Sequence, residues 1–226
     1  MELARENRRE NTKDLSATIN KMVYCFEEQR RHIGKAHQFR NKVCNLSKLG
    51  ISKIGEGKII DAEIAFTECQ RTFDELKKLN LPEDMAWEFI NSAAQEMVEL
   101  MMVIQFFPAL IGEKTLDEVE TTDAQKLGVS ETAWLAGIAD AAGELNKAAV
   151  DLEFHQLAEA DEIYLNCVAI IQKLESLLDK FALTYPLVVS NTRRRGQGFS
   201  SKLRYVRMAE LRAKENVIKL RRMKHD

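Results

Sequence analysis

The fold follows from one segment, Gln95-Glu96-Met97-Val98-Glu99-Leu100-Met101-Met102-Val103-Ile104-Gln105-Phe106-Phe107. Apolar residues surround almost its whole circumference, which predicts a buried helix. Glu96 and Glu99 are three residues apart, so they share one face of that helix about one turn apart. Two carboxylates in apolar surroundings lose hydration and repel each other, and a bound cation relieves both costs.

A second segment, from Ala133 to Val150, supplies possible partners for these acids. It is rich in small and apolar residues, which allow its backbone to approach a neighbouring helix closely. Asp140 and Glu144 are four residues apart and again share a helix face. The two helices together predict a cluster of four carboxylates. Oxygen donors alone suit Mg²⁺ or Mn²⁺ rather than zinc.

The composition predicts an all-α fold with a substantial core. The chain has 226 residues, of which 45% are hydrophobic, and only three prolines interrupt it. Alternating β-branched runs are nearly absent, and no linker is long enough to require two domains, so residues 1–226 are expected to form a single domain.

No membrane span or signal peptide is expected from the sequence. Glu99 and Gln105 interrupt the most apolar run, and residues 2–10 are strongly charged. The four cysteines are widely spaced and form no CxxC pair, which argues against zinc and against a disulfide framework. We therefore expect a cytoplasmic protein without a membrane partner.

Periodicity and capping residues predict about seven helices. Residues 1–50 are expected to form one long helix or two collinear ones, and residues 58–79 a second helix. The third has Pro82 in its first turn and is closed by Gly112. A short helix opened by a capping box at Thr115, a helix capped by Ser130, and helices at 152–181 and 200–223 follow. Breaks between them are predicted at Gly50 to Gly57, near Pro108, and over a loop from Thr121 to Val129.

Basic residues are unevenly distributed along the chain. Residues 193–226 contain twelve Lys or Arg against three acids, whereas residues 110–165 contain thirteen acids against three Lys. This pattern fits a protein that holds a polyanion near a metal site, although solvated helix faces would give the same counts. The candidate RNA-binding residues are Arg30, Arg31, Lys35, Arg40, Arg193, Arg194, Arg195, Lys202 and Arg204.

The two acid-bearing segments resemble the translin and translin-associated factor X (TRAX) family. The matching pieces are Gln95-Glu96-Met97-Val98-Glu99 and Leu135-Ala136-Gly137-Ile138-Ala139-Asp140-Ala141-Ala142-Gly143-Glu144-Leu145. The order of helices agrees over most of the chain, and the match is weakest in the first fifty residues and around Arg193 to Phe199. With acids at all four positions, the sequence resembles the catalytic, TRAX-type subunits of the family. Among these it is most similar to archaeal-type members that assemble from a single kind of subunit.

The resemblance implies a seven-helix, translin-like helical bundle that assembles as a hollow homo-octamer with RNA inside. It also implies an Mg²⁺-dependent endoribonuclease, with Mn²⁺ as a substitute, that cleaves single-stranded RNA. Glu96, Glu99, Asp140 and Glu144 would be both the metal-binding and the catalytic residues, and Glu99 is a candidate base for the attacking water.

Two other functions remain open at this point. The first is a translin-like protein that binds single-stranded RNA or DNA without cleaving it, with the acids in a structural role. The second is a four-helix di-iron carboxylate protein. That class requires Glu-x-x-His motifs, and neither Glu96 nor Glu144 has a histidine three residues later.

Overall fold

The computed structural model describes residues 2–155, 160–184 and 199–223. Within these ranges it contains seven α-helices, one 3-10 turn and no β-strand, which confirms the all-α prediction. The helices are α1 (Glu2–Gly55), α2 (Ile59–Lys77), α3 (Glu83–Leu110), α4 (Ala124–Leu127), α5 (Glu131–Phe154), α6 (Ala160–Thr184) and α7 (Phe199–Met223), and the 3-10 turn is Leu116–Glu118.

Helix α3 lies at the centre of the bundle. It contacts α1, α2, α5 and α6, while α7 packs against α5 and α6. Its buried residues face several neighbours, as expected of a helix that is apolar on most sides. One contiguous hydrophobic core joins all the long helices.

Helix α1 continues through the predicted break at Gly50 and ends at Gly55. Gly50 is needed for packing rather than for a turn: a Cβ there would lie 2.7 Å from Leu100 Cδ1 and 3.4 Å from Ala65 Cβ. The absence of a side chain therefore lets α1 approach α3 and α2 closely. The turn is made only by Gly57, whose φ of 74° belongs to the left-handed region that favours glycine.

The predicted boundaries around α5 need correction at its C-terminal end. Ser130 caps α5 as expected, since its Oγ accepts a hydrogen bond from the Ala133 amide at 3.1 Å. The helix then runs to Phe154, and α6 begins at Ala160, rather than a new helix starting at Leu152. Leu152 is fully buried, so core packing continues α5 through a position where no residue breaks the helix.

Helix α3 continues past Pro108 to Leu110, and Gly112 follows it with a φ of 80°, as expected of the glycine that closes the helix. One smaller expectation was inaccurate. The predicted loop from Thr121 to Val129 contains the short helix α4, whose N-cap is Asp123. The predicted capping box at Thr115 is confirmed, with the Thr115 amide donating to Glu118 Oε2 at 2.7 Å.

By length and hydropathy, α3 would pass as a membrane-spanning helix, the only one to do so among the described residues. However, 67% of its most apolar window is buried inside the bundle. A core helix of this kind meets the same criteria, so the apolar character of α3 is explained by its central position.

Candidate active site on helices α3, α5 and α7

Helices α3 and α5 approach each other closely at Gly137. A Cβ at this position would lie 2.6 Å from Val98 Cβ and 2.7 Å from the Gln95 carbonyl oxygen. The approach brings Asp140 of α5 beside α3, where Gln95 Nε2 donates a hydrogen bond to Asp140 Oδ2 at 2.5 Å. A glycine one turn before Asp140 therefore positions the second pair of acids against the first.

Glu96, Glu99, Asp140 and Glu144, here called the acid cluster, are all half-buried. Among them, Glu99 has a strongly raised pKa. Burial raises its pKa to about 8, and the charges of Asp140, Glu96 and Glu144 add to the increase. The structure thus brings Asp140, Glu96 and Glu144 within electrostatic range of Glu99.

Glu96 lies on the side of the acid cluster that faces α1. Burial raises its pKa, and the charge of Asp140 acts in the same direction, whereas Lys48 and Arg40 of α1 lower it. Arg40, predicted to bind RNA, is half-buried and donates from Nε to Ser92 Oγ at 3.0 Å. Helix α1 therefore supplies positive charge to this edge of the cluster.

Lys202 of α7 lies in the acid cluster itself. Its Nζ is 2.5 Å from Asp140 Oδ1 and 2.6 Å from Asp140 Oδ2. The two side chains are only 15% and 20% exposed. Lys202 was predicted as an RNA-binding residue, and its pairing with Asp140, 62 residues away in sequence, was not foreseen.

Tyr205 is a second residue of α7 that sequence reasoning missed. Its ring packs on Gly143, where an added Cβ would lie 2.8 Å from two ring carbons. Burial raises the pKa of its hydroxyl, and the charges of Glu144, Asp140 and Glu99 raise it further. The only signal in the sequence was its position one turn after Lys202 on the same helix.

The remaining predicted RNA-binding residues are on the surface or outside the described ranges. Arg30, Arg31 and Lys35 are exposed on α1, and Arg204 is exposed on α7. Arg193, Arg194 and Arg195 lie outside the described residues.

The acid cluster fits a hard divalent cation by the chemistry of its donors. All four side chains offer carboxylate oxygens, which hard cations prefer. The ammonium of Lys202 already contacts one of them, Asp140. Across residues 2–155, 160–184 and 199–223, however, no three His, Cys, Asp or Glu side chains are arranged as a ready coordination shell. The donor set therefore suits Mg²⁺ or Mn²⁺, and its side chains would need to rearrange to hold one.

No protein-family model and no curated protein matches the sequence. Several solved structures have a fold similar to that of this chain. The "Crystal structure of AfC3PO" matches with a TM-score of 0.66 and 23% identity, covering 92% of this chain and 100% of that one. The "Structure of AfC3PO - duplex RNA complex" matches with a TM-score of 0.63 and 22% identity over 92% and 99% of the two chains.

A third structure, "Crystal structure of apo-NeC3PO", has a TM-score of 0.55 and 18% identity, covering 90% of this chain and 95% of that one. All three similarities extend over nearly the whole of both chains. The chain therefore has the translin-like, all-helical fold of the C3PO structures.

Proposed function

We propose that this chain is an RNA-binding protein of the translin family that hydrolyses phosphodiester bonds at the acid cluster with a divalent cation, Mg²⁺ or Mn²⁺. The observation that carries the proposal is the meeting of four half-buried carboxylates from α3 and α5. Burial raises the pKa of Glu99 to about 8, and the other three carboxylates contribute to the increase. Negative charges gathered in such surroundings are costly unless a cation offsets them.

The presence of all four acids supports assignment to the catalytic, TRAX-type arm of the family. A chain that carries both the acids and basic surfaces could act without a second subunit type, as in a homomeric archaeal-type member. The translin-like fold over nearly the whole chain is consistent with this assignment.

Glu96, Glu99, Asp140 and Glu144 would hold the cation. When bound, the ion would lower the pKa of a coordinated water and offset charge on the phosphate oxygens. Where Glu99 is not itself bound to the cation, it is the candidate general base, and the positive charge of a neighbouring cation would lower its pKa from about 8 and favour the ionised form that accepts a proton. The ammonium of Lys202 would add a positive charge beside the phosphate group.

The proposed RNA-binding surface includes the exposed basic residues of α1 and α7. One of the similar solved structures is a complex with duplex RNA, whereas the acid-cluster proposal concerns single-stranded RNA. We expect that changing Arg30, Arg31 and Lys35 together to Gln weakens binding of a labelled oligonucleotide. The slope of log affinity against log salt should fall by about 0.7 for each lost contact with a single strand. Unchanged binding would remove this part of α1 from the surface.

A non-catalytic RNA-binding protein is the alternative function. It is favoured by the ion pair between Lys202 and Asp140, which neutralises one acid without a metal. The missing coordination shell within the described residues points the same way.

Glu144→Gln distinguishes the two functions. We expect this variant to retain RNA binding and to lose Mg²⁺-dependent cleavage of single-stranded RNA by about 100-fold or more. Glu131→Gln, at an exposed position at the start of the same helix, is the matched control and should cleave normally. If the unmodified protein cleaves neither single-stranded nor duplex RNA with Mg²⁺ or Mn²⁺, the binding function alone stands.

A further inference from the structure

The ion pair between Lys202 and Asp140 engages one carboxylate of the acid cluster. Lys202 Nζ contacts both oxygens of Asp140, and Gln95 Nε2 donates to Oδ2 as well. Both Asp140 oxygens therefore accept from a donor, and three of their roughly four lone-pair positions are in use. A divalent cation bound to the same carboxylate would lie within a few ångströms of the ammonium, and the two positive charges would repel each other.

The two lysines at the acid cluster differ in how tightly they are held. Lys202 is 15% exposed and lies within 2.6 Å of both Asp140 oxygens. Lys147 is 63% exposed, and its Nζ is 3.6 Å from Glu144 Oε2. Water screens an exposed, distant pair strongly and a half-buried, close pair much less. Lys202 is therefore the lysine whose charge the cluster depends on.

We propose that Lys202 is a built-in counter-ion that competes with a divalent cation for Asp140. This inference rests on the proposed metal site. Cation binding releases the ammonium from Asp140, and the freed Lys202 is then available for an RNA phosphate at the same place.

Competition at Asp140 makes cation and RNA binding mutually favourable. A phosphate that holds Lys202 leaves Asp140 free for the cation, and a cation that holds Asp140 leaves Lys202 free for the phosphate. Both ligands favour the state in which Lys202 is separated from Asp140. Each therefore increases the affinity for the other by the same factor. Without either ligand, the ion pair stabilises the contact between α7 and α5.

The test measures the affinity of the full chain for Mn²⁺. The amplitude of the electron paramagnetic resonance signal reports how much Mn²⁺ remains free. Lys202→Met should bind Mn²⁺ about 10-fold more tightly than the unmodified protein, because a competing charge is gone. Lys147→Met removes the same charge from an exposed position and should change the affinity by about two-fold or less.

The outcomes separate this inference from the metal site on which it rests. Equal or weaker Mn²⁺ binding by Lys202→Met, with clear binding by the unmodified protein, overturns the competition and leaves the metal site standing. No Mn²⁺ binding by any of the proteins overturns both.

Lysine acylation tests the same idea without a substitution, in case Lys202→Met does not fold. With EDTA, Lys202 should react slowly with an N-hydroxysuccinimide ester, and saturating Mg²⁺ should increase its rate several-fold. Lys173, whose Nζ donates to the Leu116 carbonyl at 2.6 Å outside the acid cluster, is the internal control and should not change. A Lys202 rate that Mg²⁺ leaves unchanged overturns the competition.

Discussion

At the scale of single residues, burial and neighbouring charge act in the same direction on Glu99. Both disfavour its ionised form, so the pKa is raised to about 8 from an ordinary value of 4.5. The folded protein therefore holds a proton that the unfolded chain has already lost at neutral pH. The stabilising effect of that proton is complete below about pH 4.5 and disappears as the pH rises through 8.

We predict that Glu99→Gln makes the protein more stable at alkaline pH in the presence of EDTA. An amide carries no charge to be buried, so the variant should gain on the order of a few kcal/mol at pH 9 and little at pH 4.5. Urea unfolding at both pH values, at one protein concentration, measures the difference. Glu131→Gln serves as the exposed control, and a gain for Glu99→Gln that does not vary with pH would contradict the assigned cause.

At the scale of helices, the acid cluster depends on how closely α3 and α5 approach. Gly137 permits the contact, since its α-carbon faces the Gln95 carbonyl and Val98 without an intervening side chain. Backbone atoms cannot move aside as the end of a flexible side chain can. A side chain at position 137 must therefore separate the two helices and with them the two pairs of acids.

We predict that Gly137→Ala destabilises the protein by about 1–3 kcal/mol, although alanine favours a helix over glycine by about 1 kcal/mol. Gly34→Ala is the matched control, because an added Cβ there meets nothing within 4 Å. That substitution should stabilise α1 slightly. Chemical denaturation midpoints compare the two, and a stabilising Gly137→Ala would show that the helices are not in tight contact.

At the scale of the whole molecule, part of α1 extends beyond the core with apolar residues exposed. Ile19, Met22 and Phe26, which are three and four residues apart and are here called the α1 seam, are exposed. Ala36 and Ile54, farther along the same helix, are buried. Phe26 is 66% exposed, which is unusual for a large apolar side chain in a regular seam. The seam therefore suits packing against another chain, and we propose a homo-oligomer, with the octamer as the specific form.

We predict that the double variant Met22→Glu with Phe26→Glu lowers the mass of the assembly in solution. Each change would place a charge in the apolar contact proposed between chains. Multi-angle light scattering at micromolar concentration measures the mass. Lys21→Glu, which also adds an acid to this part of α1 but outside the seam, should keep the unmodified mass. A monomeric unmodified protein would instead remove the proposed assembly altogether.

The sequence was sufficient for the features that depend on nearby residues. Periodicity predicted most of the long helices, and Ser130 caps α5 as predicted. The acid pairs of α3 and α5 could each be placed on one helix face, because spacings of three and four fix the face. Gly50 was misread as a break, since its reason is a contact with Leu100, 50 residues away.

Only the tertiary structure could assign the cationic partner of the acid cluster. Lys202 is one of many basic residues in the C-terminal region, and no local pattern distinguishes it from its neighbours. The packing of α7 on α5 brings its ammonium to Asp140, while Arg204, two residues later, faces solvent. Helical periodicity is a property of neighbouring residues, whereas the charge that balances a half-buried acid depends on which distant helix packs beside it.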